Sequence, residues 1–309
     1  MINRSHNPFS TLTSRGHWLL VVAAVMWSTT GLFVKAGPLR DIPGPTLACL
    51  RAFFAAACLL PLVRRSDIRF RPGLVPMAGS FAAMNVLFLT AMTMTTAAAA
   101  VFLQYTAIPW TFLLGLLVLK ETWHRGSLVT VGLAVAGIAC IVTGSGGNQT
   151  TWGNLLAVAS GLTFAGVIVS LRRLRDESPV FLVLVNQSAS CLLLLPWLYL
   201  HPPVLSIQQW LLLAAFGVFQ MSIPYLLFAR GLKYARAQDA SLIAMLEPIL
   251  TPVWVWLVGW ETAPVWTWLG GGLILSGLVL RYTVWSAPGN EDPPSGRNAG
   301  ASRDDPLNR

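Results

Sequence analysis

Residues 246–282 read LEPILTPVWVWLVGWETAPVWTWLGGGLILSGLVLRY, and residues 107–142 read AIPWTFLLGLLVLKETWHRGSLVTVGLAVAGIACIV. Laid over each other at an offset of 140, Glu121-Thr122 meets Glu261-Thr262, Gly132-Leu133 meets Gly272-Leu273, and Gly137 meets Gly277. Each stretch also carries a proline inside an apolar run, Pro109 twelve residues before Glu121 and Pro248 thirteen before Glu261. Further out, at an offset of 135, Leu59-Leu60-Pro61 meets Leu194-Leu195-Pro196 and Gly31 meets Gly166. A glutamate and a paired glycine motif in register at the ends of apolar runs identify an internal duplication.

The rest of the chain says where the two copies sit. Of 309 residues, 55% are hydrophobic and only 11% charged, with a mean hydropathy of +0.63. Soluble domains carry about 25% charge, so an ordinary water-soluble enzyme is excluded. An apolar run of about 20 residues spans the hydrocarbon core as a helix. Ten such runs are predicted, at residues 17–36, 45–63, 74–94, 97–119, 127–143, 152–171, 180–200, 209–229, 240–260 and 263–282. Each copy holds five spans, an odd number, so the second must enter the membrane from the opposite side. The expected fold is therefore all-α integral membrane, ten transmembrane helices in two inverted five-helix repeats. The expected division is a cytoplasmic segment 1–16, repeats at 17–143 and 152–283, and a disordered cytoplasmic tail at 286–309, which is rich in Pro, Gly, Ser, Asn and charge.

Charge supplies the orientation. The formal net charge is +9, from 21 basic and 12 acidic residues. With a cytoplasmic N-terminus, 18 of those 21 fall on the inner joints and tails. Lys35 and Arg40 fall outside, and Arg51 lies within a span. The excess thus obeys the positive-inside rule, and no nucleic-acid partner is expected. Trp18, Trp123, Trp152, Trp197, Trp210, Trp260, Trp266 and Trp285 fall near span ends as an interfacial belt, whereas Trp27 and Trp110 do not. A polar start followed by a full span without a small-residue cleavage site reads as an uncleaved anchor. Cys49, Cys58, Cys140 and Cys191 lie in apolar runs as small core residues, and neither a disulfide framework nor a metal motif is spaced out.

The stretch from Pro224 to Leu280 resembles the second half of the EamA-type transporters of the drug/metabolite transporter superfamily. Its recognisable parts are Ala229-Arg230-Gly231-Leu232, Leu246-Glu247-Pro248, Trp260-Glu261 and the Gly-rich last span. MWSTTGLFVKAG at residues 26–37, LACLRAFFAAACLLPL at 47–62 and FLQYTAIPWTFLLGLLVLKETW at 102–123 are similar to its first half. The resemblance covers about residues 18 to 284. It implies a central substrate cavity between two five-helix repeats, and export or exchange of small metabolites.

Inverted repeats around one site are an architecture of secondary transporters, with binding at interrupted helices in corresponding positions. Pro109 and Pro248 meet that description, although both also suit plain packing kinks. Glu247 is the one acidic residue well inside a span, where a carboxyl costs about 2.5–3.5 kcal/mol on insertion scales. It suits a substrate amine, a coupling proton or a structural latch. Arg51 suits either snorkelling to the outer headgroups or anchoring a substrate carboxylate, and with Glu247 it would match a zwitterion. Trp27, Asn85, Gln104, Tyr105, Trp110 and Tyr225 complete the candidate substrate-binding set. Thr163, Asn186, Gln187, Gln220 and Thr251 are further polar groups inside spans, open to hydrogen bonds between helices. Gly132, Gly137, Gly270–Gly272 and Gly277 are expected to let helices approach closely. Lys35, Glu121 and Glu261 are expected at helix ends as anchors or ion pairs.

These residues predict a secondary exporter or exchanger of small organic metabolites, such as amino acids or related zwitterions, in a bacterial inner membrane with both termini cytoplasmic. The alternative is a membrane-embedded enzyme acting on a lipid-linked substrate. His6, His17, His124 and His201 are too scattered for a convergent catalytic set. No Walker loop occurs, so energy is expected from solute or proton gradients. A receptor or scaffold would need a sizeable extramembrane domain. No catalytic residue, cofactor or metal is expected. The expected partners are a small-molecule substrate and the lipid bilayer, with a homodimer left open.

Overall fold

The computed structural model describes residues 8–118, 125–144, 148–232, 234, 240 and 243–283. Among the described residues every regular element is helical. In chain order these are α1 (Pro8–Ser28), α2 (Thr30–Lys35), α3 (Gly44–Leu59), α4 (Leu74–Met94), α5 (Ala97–Gln104), α6 (Ala107–Val118) and α7 (Arg125–Thr143). The remainder are α8 (Asn148–Arg173), α9 (Pro179–Leu200), α10 (Ile207–Ala215), α11 (Ile223–Gly231), α12 (Leu246–Leu257) and α13 (Val265–Thr283). Six stretches, Arg15–Lys35, Gly44–Leu62, Leu74–Met94, Thr150–Leu171, Pro179–Leu200 and Ile207–Gly231, are long and apolar enough to cross a bilayer. Shorter apolar helices cover Leu128–Thr143, Leu246–Leu257 and Val265–Leu280. The chain is a multi-pass membrane protein.

Local chemistry explains where the helices break. Between α1 and α2 the hydroxyls of Ser28, Thr29 and Thr30 donate to the carbonyls of Val25, Met26 and Trp27 at 2.6, 2.6 and 2.8 Å, competing with the backbone ladder. A run read from sequence as one helix thus becomes two. Pro109 has no N–H for the carbonyl of Tyr105, and the chain turns at Tyr105 and Thr106 between α5 and α6. Pro248 likewise leaves the carbonyl of Ala244 without its helical donor, and α12 starts just beyond, at Leu246. Pro224 does the same to Gln220, beside a π-helical segment at Phe216–Ser222 joining α10 to α11. That wide turn had no forecast in the apolar pattern.

Helix pairing follows the duplication. The first span, α1, packs on α11 as α4 packs on α8, and α3 packs on α9. Between α7 and α13 the fit is closest at glycine. A Cβ on Gly137 would lie 2.5 Å from the carbonyl of Gly270, and one on Gly270 would lie 2.5 Å from the carbonyl of Gly137. One turn or two away, Thr130 donates its hydroxyl to the carbonyl of Gly277 at 3.1 Å. Residue numbers rise along one helix as they fall along the other, so α7 and α13 run antiparallel. Shifting by 140 turns the Gly137–Gly270 contact into Gly277–Thr130. Exchange of the two helices thus keeps the pairing of positions, as in an isologous contact, although Thr130 stands where the other helix has Gly270. Gly132 and Gly272 depart from expectation, since a Cβ at either meets nothing within 4 Å. They face away from the seam that Gly137, Gly270 and Gly277 form, and Gly271 packs instead against the Phe102 ring of α5.

Candidate functional site

A buried polar chain joins the first two spans to α4, α9 and the π-helical segment. Arg51, in the middle of α3, is only 3% exposed, so its stem does not snorkel to the headgroups. One terminal nitrogen donates to Gln220 Oε1 at 3.2 Å and the other to Asn85 Oδ1. Its Cζ stands 4.9 Å from the centroid of the Phe216 ring, a cation–π contact. Asn85 passes the chain on, donating to the carbonyl of Ala48 at 3.1 Å and to Ser190 Oγ at 2.7 Å. The Gln220 amide donates in turn to Thr30 Oγ1 and to the carbonyl of Trp27. The helices bend where they must for this: Gly217 packs against the backbone of Arg51, where a Cβ would lie 2.6 Å from its carbonyl oxygen.

Neutral amides hold the guanidinium, and no carboxylate among the described residues forms an ion pair with it. Arg51 Nε has no hydrogen-bond partner there either. A buried polar group left unpaired costs about 1–3 kcal/mol, and more when charged. This edge of the guanidinium keeps a donor to offer, and a carboxylate is the acceptor that matches its planar geometry.

The two proline breaks meet at one hydroxyl. Tyr105 Oη lies 3.2 Å from the carbonyl of Ala244, the group that Pro248 leaves free, and 3.1 Å from Glu247 Oε2. Tyr105 is also the residue whose carbonyl would accept from residue 109 in an unbroken helix, a donor that Pro109 lacks. The broken helices of the two halves are thus tied through a donor with a single hydrogen and two acceptors. Glu247 is half-buried at the first turn of α12, where the helix N-terminus favours its negative charge. Arg51, Tyr225 and Glu247 interact electrostatically, which brings the sole embedded cation and the sole embedded carboxyl of the candidate set into one region. Trp27 closes it on one side, edge-on to Tyr225 with ring centroids 5.0 Å apart.

Near one end of the bundle Lys35 Nζ pairs with Glu261 Oε1 at 2.5 Å and donates to the carbonyl of Thr95 at 2.8 Å. Glu261 Oε2 accepts from the backbone N–H of Ala97 at 2.8 Å and so caps α5. Here the helix-end ion pair expected from sequence forms, and it links the two halves. Its repeat counterpart Glu121 lies outside the described residues, as does the tail at 286–309.

Of the candidate binding residues, Arg51, Asn85, Tyr105, Tyr225, Trp27 and Glu247 come together. Gln104 and Trp110 do not join them by a side-chain hydrogen bond among the described residues, and the indole nitrogen of Trp110 is buried without a partner. Pro109 and Pro248 are both buried. A crevice of about 420 Å³ opens elsewhere, between the first span and the π-helical region, lined by Met26, Phe33, Phe219 and Trp260 among others. Thr30 and Ser190 lie outside the candidate substrate-binding residues, and Gln220 entered only as a polar group inside a span. A hydroxyl or amide inside an apolar run was their only signal. Of the four cysteines only Cys49 is fully buried, so the apolar runs overstated their depth.

The EamA-like transporter family model matches residues 14–143 and again residues 151–283. An uncharacterized transporter of Archaeoglobus fulgidus is 28% identical over 274 residues, covering 86% of this chain and 96% of that protein. A solved crystal structure covers 90% of this chain and 99% of its own with a TM-score of 0.63 at 18% identity, a likeness of fold. With both matched stretches together spanning most of its length, the chain belongs to the EamA-like transporter family.

Proposed function

We propose that the chain is a secondary carrier that exports or exchanges small zwitterionic metabolites, such as amino acids, by alternating access between two inverted five-span halves. The observation that carries this reading is the buried guanidinium of Arg51, held by neutral amides with its Nε edge unpaired and with Glu247 in electrostatic reach. Arg51 takes the substrate carboxylate and Glu247 its ammonium. The antiparallel run of α7 and α13, which carry matching sequence, supports the inversion. The shared hydroxyl at the two proline breaks supports a site between the halves. The two stretches matched to one family model support the division into repeats, at 17–143 and 152–283.

Ten spans, cytoplasmic termini and a bacterial inner membrane complete the proposal, on the Lys/Arg distribution. The protein moves its substrate and does not transform it. Flux of labelled amino acids into vesicles holding only the purified chain tests the reading. Saturable uptake that Arg51→Gln reduces at least tenfold is expected. Uptake no faster than in protein-free vesicles for every amino acid, or turnover of a lipid without solute flux, would overturn it.

A further inference from the structure

Gln187 sits in the middle of α9 with no exposed surface, and neither atom of its amide has a hydrogen-bond partner among the described residues. Its neighbour Asn186 is 5% exposed and its Oδ1 is likewise unpaired. Buried polar groups are almost always satisfied, so adjacent exceptions inside a membrane helix call for an explanation. The face they occupy is known. The buried residues of α9 are Phe181, Leu182, Asn186, Gln187 and Ser190, and α9 packs on α3 and α4. That face therefore looks toward the helices carrying Arg51 and Asn85. Ser190 fixes the register, because its hydroxyl accepts from Asn85 at 2.7 Å and Asn85 in turn accepts from Arg51. Gln187 lies one turn before Ser190 on the same side. Three unpaired groups, Arg51 Nε, the Gln187 amide and Asn186 Oδ1, thus fall on two packed helices around one hydrogen-bond chain.

We infer that Gln187 is a specificity-determining residue that reads an uncharged hydrogen-bonding group on the substrate, a side-chain hydroxyl or carboxamide. This rests on the proposed binding of the substrate carboxylate by Arg51. A primary amide offers a donor and an acceptor side by side, which a hydroxyl or another amide can meet and a methyl cannot. Asn186 Oδ1 adds a second acceptor for the same group. A site built to hydrogen-bond a substrate group rejects the analogue that lacks it far more strongly than an apolar pocket rejects an added hydroxyl. Selectivity between isosteres is therefore the direct readout.

The test compares labelled threonine with valine and asparagine with leucine, in vesicles containing the full-length chain. For the wild type, kcat/KM is expected to favour the polar member of each pair by about tenfold or more. Gln187→Leu removes the unpaired amide and leaves an apolar group of similar size, so the helix is expected to fold at least as well. The polar-to-apolar ratio should then fall below about threefold, while valine or leucine uptake is kept. Gln187→Met serves as a second variant of similar volume, should the branched side chain pack poorly. An unchanged ratio in a folded, active variant would overturn the inference alone and leave the amide a packing or water-holding group. Absence of wild-type uptake for all four amino acids would overturn the inference together with the reading beneath it, whereas wild-type uptake with no preference within either pair would overturn only the inference.

Discussion

Replacing Tyr105 by Phe removes the one hydroxyl hydrogen shared by two acceptors, the Ala244 carbonyl at 3.2 Å and Glu247 Oε2 at 3.1 Å. Interhelical hydrogen bonds in membrane proteins average about 0.6 kcal/mol and reach about 1.7. A buried acceptor left without a donor costs about 1–3 kcal/mol. Tyr105→Phe is therefore expected to destabilise by about 1–2 kcal/mol, read from denaturant unfolding in mixed micelles. The cause can be isolated. Pro248→Ala gives residue 248 an N–H, and the Ala244 carbonyl then has an intrahelical partner. In that background Tyr105→Phe should cost about 0.5–1 kcal/mol less, a coupling within the range of residues sharing one partner. Additivity of the two substitutions to within about 0.3 kcal/mol would refute the claim that Tyr105 serves the carbonyl freed by Pro248.

Arg51→Lys keeps the charge but loses the planar donor edge, so half-saturation for the transported amino acid should rise about tenfold with folding retained, measured by vesicle uptake and thermal unfolding. Lys35→Met strands the partly buried carboxylate of Glu261 and should lower stability by about 1–3 kcal/mol. Glu261→Gln, which keeps an oxygen for the Ala97 N–H, should cost less in the same unfolding assay. Gly137→Val forces a side chain onto the backbone of Gly270 and is expected to cost about 2 kcal/mol or more. Gly132→Ala meets nothing and should be neutral or stabilising by up to about 1 kcal/mol.

The fold was legible because the bilayer leaves few choices: apolar runs of span length must be helices, and the repeat with its odd span number points to inversion. Pro109 and Pro248 marked the breaks because a missing N–H acts locally and can be read without knowing neighbours. What a side chain meets across the bundle is a different matter. Arg51 left snorkelling and burial both open, since depth along a helix does not say which way a residue faces. Gly132 and Gly137 are alike in sequence, yet only Gly137 touches the partner helix. The π-helical turn carries Gln220, whose bond to Arg51 joins segments 169 residues apart and leaves no local pattern in the sequence. Trp110 and Gln104 resemble pocket residues by type, and among the described residues neither makes a side-chain hydrogen bond to the Arg51 cluster.

Counterflow offers the sharpest decision on the carrier itself. Vesicles containing only this chain are loaded with excess unlabelled substrate and diluted into a trace of the labelled compound at zero membrane potential. A carrier that presents one site to each side in turn must draw label inward above its outside concentration, as a transient overshoot that Arg51→Gln abolishes. Label that merely rises to equilibrium, at a rate indifferent to the trapped substrate, would contradict an alternating site between the two halves.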